Sequence, residues 1–191
     1  MSLLERGFKS WAEKFADGLR RELGAEIDEP LCLERLASLF GAKLLTPEEI
    51  PGMTELHLAQ LLNVDPSGWS AVTVCIGQRS VIIHNPTHSK GRQASNIAHE
   101  IAHLILEHEP TRLVMSHDGA LVMRSFDEKQ EEEANWLAWC LLLPRVAIIA
   151  ALKKRATVEQ IALQFGVSER LVRFRVQKTG ARVQIKRSTI T

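Results

Sequence analysis

The sequence predicts an α+β fold, mainly helical, with a small β-sheet or hairpin and a C-terminal helix-turn-helix-like segment. Three observations carry this. Apolar residues recur at helical spacing through most of the chain, one stretch alternates as paired strands do, and residues 152–191 hold short amphipathic pieces around a glycine turn. At 191 residues, 45% hydrophobic and 25% charged, the chain is long enough to bury a core of its own.

In LLERGFKSWAEKFADGLRRELG, Leu4, Phe8, Trp11, Phe15, Leu19 and Leu23 fall three or four apart, which predicts an amphipathic helix over 3–23 that stops at Gly24. LCLERLASLFGAKLL reads as a second short helix halted by Gly41 and passing into a brief strand, and 54–62 as a weaker helix. WSAVTVCIGQRSVIIHNP holds two β-branched runs around Gly77 and Gln78, so it predicts a hairpin, ended by Asn85-Pro86. The helical period returns from Ser89 to Glu107, residues 109–127 read as a loop, and Glu128 to Leu143 form a helix halted before Pro144. The remainder is helical in three short pieces. This organisation predicts a main domain over 1–151, a helix-turn-helix-like segment over 152–180 packed on it, and a basic tail over 181–191.

The formal net charge of +1 conceals an asymmetry. Residues 152–191 carry ten Lys or Arg against two acids, leaving fourteen against twenty-one in 1–151, so the tail is basic and the body acidic. That contrast suits nucleic-acid contact or a protein interface equally. No apolar run approaches the roughly 18 residues of a membrane span. Glu5, Arg6, Lys9, Glu13 and Lys14 interrupt the N-terminal stretch, so a cytoplasmic protein with no membrane partner is expected. Cys32, Cys75 and Cys140 are odd in number, far apart and set among apolar neighbours, which suits reduced, buried thiols.

The chemistry concentrates in NIAHEIAHLILEH, residues 96–108. His99 and His103 are one helical turn apart, so both imidazoles leave the same face and can share one metal ion, while Glu100 stands a step round as a general base. The bland alternative is two histidines satisfied by core hydrogen bonds. Against it, Ile97, Ala98, Ile101, Ala102, Leu104, Ile105 and Leu106 make this helix apolar nearly all round, where unpaired polar groups are costly and a metal removes that cost. A catalytic zinc needs a third protein ligand. KQEEEANWLAWCLLLP offers Glu131, Glu132 and Glu133 in a row, and periodicity alone leaves the choice open. Small neighbours favour Glu131, with Asn135 one turn on to support a ligand, and the other two glutamates are expected on a solvated face.

These blocks resemble the ImmA/IrrE family of metallopeptidases. The resemblance rests on NIAHEIAHLIL, on EEEANWLAWCLLLP and on ATVEQIALQFGVSERLVRFRV, and covers roughly residues 30–180. Trp136-Leu137 and Leu143 depart from the family's usual residues as apolar exchanges at packing positions, and GRQASNIAHE departs before the first histidine, which bears on substrate choice more than on chemistry. The resemblance implies a zincin-like domain with zinc on His99, His103 and Glu131, and manganese or iron suits the same ligands. It also implies a protein substrate, a helix-turn-helix transcriptional repressor cleaved in a stress, mobile-element or toxin-antitoxin response.

Zinc there is expected to acidify a water and polarise the scissile carbonyl, with Glu100 moving the proton to the leaving amine. The chain has no tyrosine, so His108 and His117 are the nearest candidates for a transition-state donor. RSVIIHN leads straight into the metal helix, and its edge is expected to pair with an extended substrate. Arg170, Arg173, Arg175 and Lys178 fall on the second helix of the C-terminal segment as on a DNA-reading helix. The apolar positions around them serve equally well for packing on the body or docking a partner. That is the favoured reading, and a non-catalytic regulator that binds DNA or a partner through this segment is the rival.

Overall fold

The computed structural model describes residues 3–76, 79–108, 112–115, 121–124, 127–181 and 184. Along the chain lie α1 (Phe8–Glu22), α2 (Leu33–Leu39), β1 (Ala42–Leu45), α3 (Glu55–Ala59) running on into a π turn, β2 (Ala71–Ile76) and β3 (Arg79–His84). They are followed by α4 (Lys90–Ile105), β4 (Arg112–Met115), β5 (Leu121–Arg124), α5 (Glu128–Leu142), α6 (Arg145–Lys153), α7 (Val158–Phe165) and α8 (Glu169–Thr179). The fold is α+β and mainly helical. The first helix begins at Phe8 rather than near Leu3, because Gly7 precedes it in the left-handed region at φ 97°. No single helix among the described residues is long and apolar enough to cross a membrane.

The sheet has the order β1-β3-β2, with β1 parallel and β2 antiparallel to β3. This corrects the expected role of RSVIIHN: β3 is the central strand, paired on both sides, and has no edge to offer a substrate. Ile82, between Leu44 and Thr73 in register, is fully buried. Among the described residues β1 and β2 are the two edge strands of this sheet. The Asn85 amide donates to Ser70 oxygen at 2.9 Å, so by the alternation of an antiparallel ladder the main-chain groups of Ala71, Thr73 and Cys75 face away from β3.

A second departure lies in 109–127, read as a loop. β4 and β5 pair there antiparallel, Arg112 opposite Arg124 and Met115 opposite Leu121. Runs of four residues are too short to display the period that separates strand from loop. Of the cysteines, Cys140 is buried, its thiol pushed up to about 12 by burial, whereas Cys32 and Cys75 are exposed.

At the centre α4 lies against α5, and α1 also packs on α5. Ala98 and Ala102 of α4 and Ala134 and Ala138 of α5 are buried with at most 2% exposure, and their small side chains let the two helices approach closely. The α7–α8 pair docks on the beginning of α4. A Cβ placed on Gly91 would stand 2.9 Å from the Ser168 amide nitrogen and 3.0 Å from the Val167 carbonyl carbon. Gly91→Ala is therefore expected to destabilise by about 1–3 kcal/mol in urea unfolding, because backbone must move. Gly18→Ala, with nothing within 4 Å of the added carbon, is the control and should stabilise slightly. A neutral or stabilising Gly91→Ala would contradict this docking.

Candidate metal centre

Two helix ends place the site. Asp127 caps α5, its Oδ1 accepting from the amides of Lys129 (2.9 Å) and Gln130 (3.2 Å), which fixes where the next turn puts Glu131. The α4–α5 contact then carries Glu131 to the histidines. His99 Nε2 and His103 Nε2 are 3.0 Å apart, Glu131 Oε2 is 3.2 Å from His99 Nε2, and Glu131 Oε1 is 3.4 Å from His103 Nε2. Of the three adjacent glutamates, Glu132 instead accepts from the Leu3 amide at 2.6 Å and Glu133 faces His108.

These separations suit an ion. Zinc with metal–nitrogen bonds of about 2.0–2.1 Å in tetrahedral geometry holds its ligand atoms about 3.3 Å apart. Burial, with His99 and His108 beside it, pushes His103 down to about 4, so at neutral pH its ring is uncharged. The short contact to Glu131 is then not an ion pair, and in the tautomer that carries its proton on Nδ1 the His103 Nε2 lone pair meets the carboxylate's at one point, an arrangement that a cation satisfies. Among the described residues, His99, His103 and Glu131 are a group that could hold a metal ion.

Glu100, beside the first histidine, is held from the sheet. Thr73 Oγ1 donates to Glu100 Oε2 at 2.6 Å, which fixes one oxygen of the carboxylate. Nothing in the linear sequence marks Thr73. Only the register, which sets it opposite Ile82 on the sheet, brings it to α4.

Other expected residues land elsewhere. Asn135 Nδ2 donates to the Glu131 main-chain carbonyl at 2.8 Å, so it braces the turn that carries the candidate ligand and, among the described residues, bonds no histidine ring. His108 sits behind His103, its Nδ1 2.9 Å from His103 Nδ1 and its side chain 7% exposed, away from the nitrogens that converge with Glu131. That position does not serve a transition-state donor. Glu133, expected on a solvated face, is 15% exposed, with its Oε2 3.3 Å from His108 Nε2. His117 lies outside the described residues.

The basic helix is largely tied down. Arg175, counted among the DNA contacts from sequence, is fully buried, donating from Nε to Leu143 oxygen (3.0 Å) and from Nη2 to Glu13 Oε1 (2.7 Å). Arg173 pairs with Glu169 at 2.6 Å and Glu159 at 3.7 Å, and Lys178 lies over the Phe174 ring. Arg170 is exposed and, with Ser95, Trp139 and Phe174, lines a cavity one turn of α4 from His99.

Residues 59–177 match a peptidase family described as the IrrE N-terminal-like domain. No curated protein matches the chain. The family match takes in more than half of the chain and every residue of the candidate metal group, so the protein belongs to the peptidase family of IrrE N-terminal-like domains.

Proposed function

We propose that the protein is a zinc-dependent endopeptidase acting on another protein, a helix-turn-helix transcriptional repressor cut in a stress, mobile-element or toxin-antitoxin response. Family membership supports peptide-bond hydrolysis. The observation that carries a catalytic reading is Glu100, whose carboxylate is held by Thr73 next to the ligand group, where a purely structural ion needs no base. The repressor as substrate follows from the resemblance of the three sequence blocks.

His99, His103 and Glu131 would hold a divalent ion, zinc or equally manganese or iron(II), which when bound would supply Lewis acidity to a carbonyl and to water. Glu100 takes the proton of the attacking water and delivers it to the leaving nitrogen as the C–N bond breaks. Thr73 occupies Oε2, which assigns the proton to Oε1. An extended substrate segment adds to the open edge of β2, where Ala71, Thr73 and Cys75 turn their main-chain groups outward. Thr73 thereby belongs to both the docking strand and the base.

The test is to incubate the purified chain and zinc with helix-turn-helix repressors from the same genome and to follow their intact mass. One cleavage is expected, lost with chelator and restored by zinc. One bound ion per chain with no cleavage under zinc, manganese or iron would overturn the peptidase reading.

A further inference from the structure

The end of α4 makes a reversal that the ligand chemistry above does not use. The Glu107 amide donates to Leu104 oxygen at 3.2 Å and the His108 amide to His103 oxygen at 3.1 Å, the paired bonds of a Schellman cap. Such a cap wants glycine at its left-handed position, yet Glu107 stands there at φ 52°, a conformation that L side chains resist. The reversal folds the next residue back over the last turn, where a cap of this type commonly makes an apolar contact. Here the contact is His108 on His103, with ring centroids 5.0 Å apart. Its distal nitrogen continues to α5, with His108 Nε2 3.3 Å from Glu133 Oε2.

One placement of protons satisfies this chain. If His103 gives its Nε2 lone pair to a metal, its proton is on Nδ1 and points at His108 Nδ1, 2.9 Å away. His108 must then accept at Nδ1 and carry its own proton on Nε2, which donates to the Glu133 carboxylate. We propose that His108 and Glu133 are positioning residues that lock His103 in its metal-binding tautomer and orientation, a carboxylate-to-histidine-to-histidine chain ending at the metal. The support is one-sided: the buried His99 Nδ1 has no hydrogen-bond partner among the described residues.

This inference rests on the metal-centre reading, so the experiment reads metal rather than activity. Zinc affinity of the full chain is measured by competition with a chromophoric chelator, alongside thermal unfolding of the metal-free protein. His108→Ala and Glu133→Ala are each expected to weaken zinc binding about 10–100-fold, and the double variant to be little worse than either alone. His108→Phe fills the space without accepting a proton: it should restore metal-free stability but not zinc affinity. Glu133→Gln, close in volume, keeps the test decisive if an alanine variant does not fold. Folded His108 and Glu133 variants that bind zinc as tightly as wild type would overturn the chain. Wild type that binds no tighter than His99→Ala would overturn the metal centre itself, and the chain with it.

Discussion

Glu100→Gln is expected to lose about 10²–10⁴-fold in cleavage rate while binding one metal ion as wild type does. Glutamine keeps the volume and can still accept the Thr73 hydroxyl at the position Oε2 now holds, so the loss isolates proton transfer from packing. Thr73→Val should cost less, about tenfold, because it removes one bond to a charged acceptor and leaves the base in place. Both variants must bind zinc normally, since neither residue is among the converging ligand atoms. The measurement is kcat on a repressor substrate together with bound metal per chain. A Glu100→Gln enzyme within tenfold of wild type would remove Glu100 from the mechanism, and loss of metal in that variant would recast it as a ligand.

How far the sequence reveals this site depends on whether a residue's partner is local. His99, Glu100 and His103 are legible because a spacing of four on a helix is itself a geometry. Glu131 is less so: three successive residues sweep about 200° of a helix, so period cannot choose among Glu131, Glu132 and Glu133. The choice falls out of the Asp127 cap and the alanines that bring α5 onto α4. Thr73 is invisible in sequence because strand order is not written there. A hairpin pattern says that β2 and β3 are neighbours, but not that β1 takes the far side of β3 and leaves β2 as an edge strand. His108 and Glu133 escape for another reason: they meet through a left-handed residue that no glycine announces. Arg175 could have been placed, since it follows Leu171 by four and Val172 by three on the buried face of α8.

That buried arginine sets the other large effect. Glu13→Ala is expected to destabilise the protein by about 3–5 kcal/mol, because it strands a charge without exposure to water. For a chain of this size that lowers Tm by about 6–20 °C. Glu13 of α1 holds two elements at once, Oε1 taking Arg175 of α8 and Oε2 the Arg145 amide at 3.0 Å where α6 begins. Arg175→Met should cost less, since an apolar side chain of similar length leaves only the Leu143 carbonyl without its donor and lets the partly exposed Glu13 hydrate. The ordering matters more than either value. With Glu13→Ala the worse of the two, Arg175 is an anchor that fastens the basic helix to the body and is withheld from nucleic acid. Should Glu13→Ala change stability by less than about 1 kcal/mol, the pair is no anchor, and salt-dependent DNA binding by the full chain becomes the measurement that decides what α8 touches.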